Sequence, residues 1–288
     1  MTMNFLRKLK LALIGIALLA MAGCSAALLG YHIAPQLSYH WLDGYVDFTA
    51  AQRDIVRAEL GRIHAWHRQH ELPRYVGLLQ TLQGLAAGDM NPARACEVAE
   101  EVRERYRVLL MQFEPVIVRL APTATPEQLR HLRHRFDERN RRWRKDWLEG
   151  TQTERNEHRL KRLEDRAETF YGSLNHAQEG ILEAYVAHSV FDPHFSHAET
   201  RRRQDDAIAT LDRIGRLAEP DRRREVAAYF ERFWRGGDPS YQGYLDRLTA
   251  GTCRLIADLH NSATPDQRRR AVKRLGEYLE RLQGLRSR

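Results

Sequence analysis

The residues best suited to chemistry are His64, His67 and His70, spaced by three, with His131 and His134 repeating the interval. Imidazole is a good zinc ligand. On a helix, however, two steps of three residues fan the side chains over roughly 120°. Two neighbours could meet one ion, and the third would have to stretch. The helix-borne zinc pattern His-Glu-x-x-His does not occur. Surface histidines on a basic helix are the plainer explanation of this weak signal, and a metal- or small-ligand-binding protein built on these three is the alternative reading. Acidic pairs such as Glu100-Glu101 and Asp205-Asp206 have the composition of exposed helix faces. An envelope hydrolase would need two carboxyls facing across a cleft and is the third reading. The chain has no Gly-x-Ser-x-Gly, no phosphate-binding glycine loop and no Cys-x-x-Cys. No catalytic residue and no cofactor is expected, and the protein reads as a non-enzyme.

The cysteines say more. Arg7, Lys8 and Lys10 precede a short apolar run from Leu11 to Leu19, and Met21-Ala22-Gly23-Cys24 follows. The charge, the length and the small residues are those of an export signal spanning residues 1–23. The last four residues resemble the lipobox of bacterial lipoproteins, with Met21 where that family has Leu. The resemblance implies acylation of Cys24 and a membrane anchor of several acyl chains, since one chain alone binds marginally. Ser25 stands where an Asp would hold a lipoprotein in the inner membrane, which implies the outer membrane facing the periplasm. In that oxidising compartment the two remaining cysteines, Cys96 and Cys253, point to one disulfide; two buried free thiols are the other possibility.

Helix starts dominate the elements that position these residues. Phe48-Thr49-Ala50-Ala51-Gln52 is a capping box: Thr49 at N-cap accepts from the backbone of N3, and the Gln52 side chain reaches back. Thr125 with Gln128, Asn175 with Gln178, and Thr264 with Gln267 repeat it, and Pro126 and Pro265 sit at N1, where a missing N–H costs nothing. Taken locally, Gln128→Glu should be tolerated, because either side chain completes the box. Ser196 with Glu199 is a further candidate box. Helices are also expected from Thr153 to about Tyr171 and from Pro220 to Gly236. Pro73 should separate the first helix from a second running to Ala87. Val98, Val102, Tyr106, Leu109, Leu110 and Phe113 form the apolar stripe of a third. Trp143 and Trp147 share one helix face and read as core, and Arg139 falls within that helix's apolar stripe and needs a partner. No segment alternates like a half-buried strand. The expected fold is all-α: a multi-helix antiparallel bundle over residues 48–288, behind a lipidated tether over residues 24–47. The tether's Tyr31, Tyr39, Trp41 and Leu42 either lie near lipid headgroups or pack on the body.

The formal net charge of +8 is modest for 288 residues and spread along the chain. A solvated surface explains it, and nucleic acid is not an expected partner.

The recurring Thr-x-x-Gln resembles the L-T-x-x-Q motif of periplasmic stress chaperones of the Spy and CpxP type. It implies a helical protein that holds unfolding envelope clients. The lipobox, the segment Tyr39-His40-Trp41-Leu42-Asp43-Gly44-Tyr45-Val46-Asp47 and the Thr-x-x-Gln-Arg helix start also resemble a family of uncharacterised proteobacterial lipoproteins. Together these readings give a helical binding or scaffolding module anchored in the cell envelope, with its oligomeric state left open.

Overall fold

The computed structural model describes residues 29–236 and 239–286. The expected signal segment and Cys24 lie outside the described residues. Within them the chain is helical throughout, and no strand occurs. The helices are α1 (Ala34–Val46), α2 (Ala50–Trp66), α3 (Leu72–Leu85), α4 (Pro92–Met111), α5 (Glu114–Leu120) and α6 (Pro126–Trp147). They continue with α7 (Gln152–Tyr171), α8 (His176–His188), α9 (Pro193–Ile214), α10 (Glu219–Arg235), α11 (Pro239–Asn261) and α12 (Pro265–Arg286).

Their boundaries follow local chemistry. Thr49, Thr125 and Asn175 each cap a helix in a complete box. Thr264 accepts from Gln267 N while Gln267 Oε1 accepts from Thr264 N, so the fourth box is also formed. Three boundaries differ from expectation. Pro73 does not separate two helices: α2 passes into α3 through the π-helical turn His67–Glu71, where Leu72 N–H donates to His67 O, five residues back. The wider turn absorbs a proline that would otherwise clash with the preceding turn and leave a carbonyl unpaired. The Ser196 box does not form, because Asp192 caps α9 first, accepting from His194 N and Phe195 N, and Glu199 instead holds Arg202 and Arg203. The cap of α7 is Thr151 with Glu154, not Thr153.

Side chains also depart from expectation. Arg139 is exposed and needs no partner; the neighbouring Asn140 is buried and trades amide hydrogen bonds with Gln204. Val102 and Tyr106 are exposed, so the stripe of α4 is only partly covered. Asp206 is not an ordinary exposed acid: Arg232 grips it at 2.9 Å. Residues 34–46 form a helix rather than a loose tether, and Tyr39 is buried against α2 beside Phe48, Val56 and Leu60.

Six helices repeat. In the first half α1 packs on α2 and α6, and α2 packs on α5; in the second α7 packs on α8 and α12, and α8 packs on α11. The middle helices cross over. α3 leaves its own half to pack on α12, and α9 packs on α6. Likewise α4 packs on α11, and α10 on α5. Each half therefore completes its core with the other's helices. The expected disulfide is present at one crossing, joining Cys96 of α4 to Cys253 of α11 with Cα atoms 5.3 Å apart. At the matching crossing Arg222 of α10 donates to Val118 O of α5 at 2.8 Å, over a core of Val118, Ile214, Val226 and Phe230.

Candidate functional site: an apolar cavity closed by an amide pair

The capping glutamines do more than cap. Gln52 and Gln128, at the starts of α2 and α6, are buried face to face. Gln128 Nε2 donates to Gln52 Oε1 at 2.7 Å, and Gln52 Nε2 donates to Gln128 Oε1 at 3.2 Å. Each amide oxygen also accepts its own N-cap N–H, from Thr49 at 3.0 Å and from Thr125 at 3.1 Å. The remaining donors reach the carbonyl two residues before the partner's cap. Gln52 Nε2 bonds Thr123 O at 2.9 Å, and Gln128 Nε2 bonds Asp47 O at 2.8 Å. Both amides use two donors and two acceptor sites, so the pair is saturated.

The second half repeats the device. Gln178 and Gln267 exchange hydrogen bonds at 3.1 and 2.9 Å, and Gln267 Nε2 bonds Ser173 O, two residues before Asn175. The Thr151 box of α7 lacks such a partner: Glu154 is exposed and only caps. Glutamine thus stands where the cap must also donate across space, and glutamate where it need not.

Beside the first pair lies a cavity of about 510 Å³ between α1, α2, α4, α5, α6, α9 and α10, a volume within the range of ligand sites. Val46, Leu60, Ile117, Leu132, Leu211 and Phe230 represent its apolar wall, and Trp41 and Tyr106 are its exposed aromatic residues. Its amides, its carboxylate and its threonine are already committed. Gln52 and Gln128 hold each other, Glu59 holds Arg62 at 2.7 Å, and Thr210 Oγ1 accepts from Arg232 at 3.1 Å. Glu59 is the single carboxylate of the lining, so no pair of acids faces across it. The equivalent helices of the second half, α7, α8 and α11, close on a packed cluster of Ala167, Leu182, Leu255 and Leu259.

The histidines are not brought together as a set. His64 and His67 close on Tyr31, whose hydroxyl lies 3.0 Å from His67 Nδ1 and whose ring lies 4.5 Å from that of His64. His70 turns away, bonding Trp66 O and stacking on the Trp66 ring. Among the described residues there is no group of three or more His, Cys, Asp or Glu that could hold a metal ion. His131 reaches Gly44 O, and His134 pairs with Glu138. Trp143 and Trp147 stack on one another, and Trp147 also meets Phe191, consistent with packing between helices.

Burial lowers the pKa of His64, with Arg68 and His32 adding to the effect against a hydrogen bond that the ring donates to the Tyr31 backbone carbonyl. Burial likewise lowers that of His67, with His64 adding to it. The unfolded chain therefore binds protons on these groups before the folded one does. Stability is full above the unfolded value of about 6.5 and falls as pH drops through it toward the lowered folded values. Thermal melts from pH 7.5 to pH 5 should show a falling midpoint. The fall should shrink in His67→Phe, which keeps the ring contact and removes one titrating group. A flat profile across that window would overturn this account of the Tyr31 contact.

Sequence reasoning missed the amide pairs and the cavity. The pairs carry a signal in hindsight, since Gln rather than Glu recurs at four N3 positions; the cavity carries none. No curated protein and no solved structure matches this chain. A model described as a family of unknown function matches residues 44–234, from within α1 to the end of α10, and so spans most of the cavity-forming helices. The chain belongs to this family, DUF6279.

Proposed function

We propose that the protein is a non-enzymatic binding module anchored in the cell envelope through Cys24, and that its cavity takes a long acyl chain. The observation that carries this reading is the cavity's chemistry: apolar walls, with the lining amides, the one lining carboxylate and Thr210 already bonded within the protein. Unpaired backbone amides cost several kcal/mol each when buried without partners. A polypeptide client entering the cavity would bring one such amide per residue and meet only the hydroxyls of Tyr106 and Tyr229 and the indole N–H of Trp41. A hydrocarbon chain brings none and gains roughly 0.8 kcal/mol for each CH₂ buried. Among envelope ligands this favours the acyl chain of a lipid or lipidated molecule over an unfolding protein segment. The outer-membrane, periplasm-facing address remains the reading of Cys24 and Ser25.

The test is direct titration with a fluorescent long-chain fatty acid. Saturable binding is expected, weakened at least tenfold in Ile117→Trp, which fills part of the cavity. Circular dichroism should show the helix content of that variant unchanged. Absence of saturable binding, or displacement of the probe by an unstructured apolar peptide but not by unlabelled fatty acid, would sink the proposal.

A further inference from the structure

One helical face is apolar and, among the described residues, has nothing to cover it. Leu29, Ile33, Leu37 and Trp41 recur at every fourth position and are 61, 39, 54 and 59% exposed. They ride on a helical turn at residues 29–32 and on α1, joined at Ile33, the N-cap of α1, with Ile33 N bonding Leu29 O and Leu37 N bonding Ile33 O, each at 3.0 Å. The row is about 18 Å long. Its opposite face is settled, with Tyr39 buried on α2. No Asp, Glu, Lys or Arg occurs between Cys24 and Asp43. Positive charge arrives from the two helices that flank α1: Arg57 of α2 lies over the Tyr39 ring at 4.5 Å, and Arg135 of α6 lies 5.8 Å from that of Tyr45.

We propose that this face of α1 lies in the headgroup region of a bilayer and holds the cavity mouth against it. Three features select a lipid surface over a second copy of the chain or another protein. An uncharged amphipathic helix with an exposed Trp at one end is the chemistry of an interfacial helix. Cys24, whose acylation the lipobox implies, precedes the first residue of the row by five positions in the chain. The flanking guanidinium group of Arg57 complements anionic headgroups, while that of Arg135 is already paired with Glu138. No described helix is long and apolar enough to cross a membrane, so α1 would lie on it. Trp41 belongs both to this row and to the cavity lining, and Leu42 beside it also faces the cavity. The far end of the membrane face is therefore the mouth of the cavity. Docking of α1 stands on the exposed row alone; passage of an acyl chain past Trp41 rests on the cavity reading above.

The experiment uses the full chain incorporated in vesicles of phosphatidylethanolamine and phosphatidylglycerol. The N-terminal segment then holds every variant to the vesicle, and the readout is the position of α1. Lipids brominated on their acyl chains should quench a tryptophan component that is missing in Trp41→Phe. The double variant Ile33→Glu, Leu37→Glu should lose most of that component while keeping its thermal midpoint and its fatty-acid titration, because neither residue lines the cavity. No Trp41-specific quenching, or equal quenching in the double variant, would overturn the proposal. So would a concentration-dependent dimer in which Trp41 is shielded, which would assign the row to a second copy. Loss of fatty-acid binding with quenching intact would refute the cavity reading alone.

Discussion

Gln128→Glu should destabilise the protein by about 3–5 kcal/mol, the usual cost of a buried charge left without its partner. The wild-type Nε2 donates to Gln52 Oε1 and to Asp47 O. A carboxylate there would place a charged oxygen against two acceptors in a buried site. The expectation drawn from the local motif, that Glu completes the capping box equally well, is corrected by this geometry: the box needs an acceptor, and the pair needs a donor. Lowering the pH should shrink the deficit, because a protonated Glu regains one O–H donor. Glu154→Gln is the control. Its box is exposed and pairs with nothing across space, so the change should stay within about 0.5 kcal/mol. Urea melts of the two variants at pH 7 and pH 5 check both parts. Equal stability of Gln128→Glu and wild type at pH 7 would mean that the amide pair does not hold α2 to α6.

The second large effect concerns the crossing of α4 and α11. Cys96 and Cys253 are 157 residues apart and close a very long loop. In the chain-entropy view its removal costs up to about 5 kcal/mol. Cys96→Ala with Cys253→Ala should show this in urea melts as a lowered midpoint. The thiol-free protein should still keep its amide pairs and helix content at low denaturant, because the α10–α5 crossing holds with no disulfide of its own. Reduction of the wild type by dithiothreitol should match the double variant. Unchanged midpoints in both would show that the crossing is held by packing alone.

What could be read from the sequence was local. Apolar spacing near 3.6, Pro at N1 and Thr or Asn three residues before Gln each act within one or two turns, and those helices are where they were expected. Where two local signals competed, the reading slipped. Asp192 just before Pro193 outcompetes Ser196 as a cap, and Thr151 stands just ahead of Thr153 with Glu154 at the right distance. Compartment chemistry pointed to the cysteine pair without any geometry. The candidate site was not legible, because it is made between elements distant in the chain. Gln52 and Gln128 are 76 positions apart, and nothing in either motif names the other. The cavity walls come from helices that each look like ordinary core. Whether such helices pack to closure or leave a hollow depends on their separation, which no single stripe encodes.

The crossed middle helices also set the order in which the molecule can form. α3 and α4 are synthesised early, yet the faces they cover belong to α12 and α11, the last helices of the chain. Until those emerge, the apolar sides of α3 and α4 have only provisional contacts. Contacts so distant in the chain slow folding and lengthen the time that apolar surface is exposed. A chain stopped after α6 would carry both its early helices without the main native surface of either. The fold is thus all-or-nothing with respect to its C-terminus: losing α12 would bare α3 in the first half as well as α7 in the second.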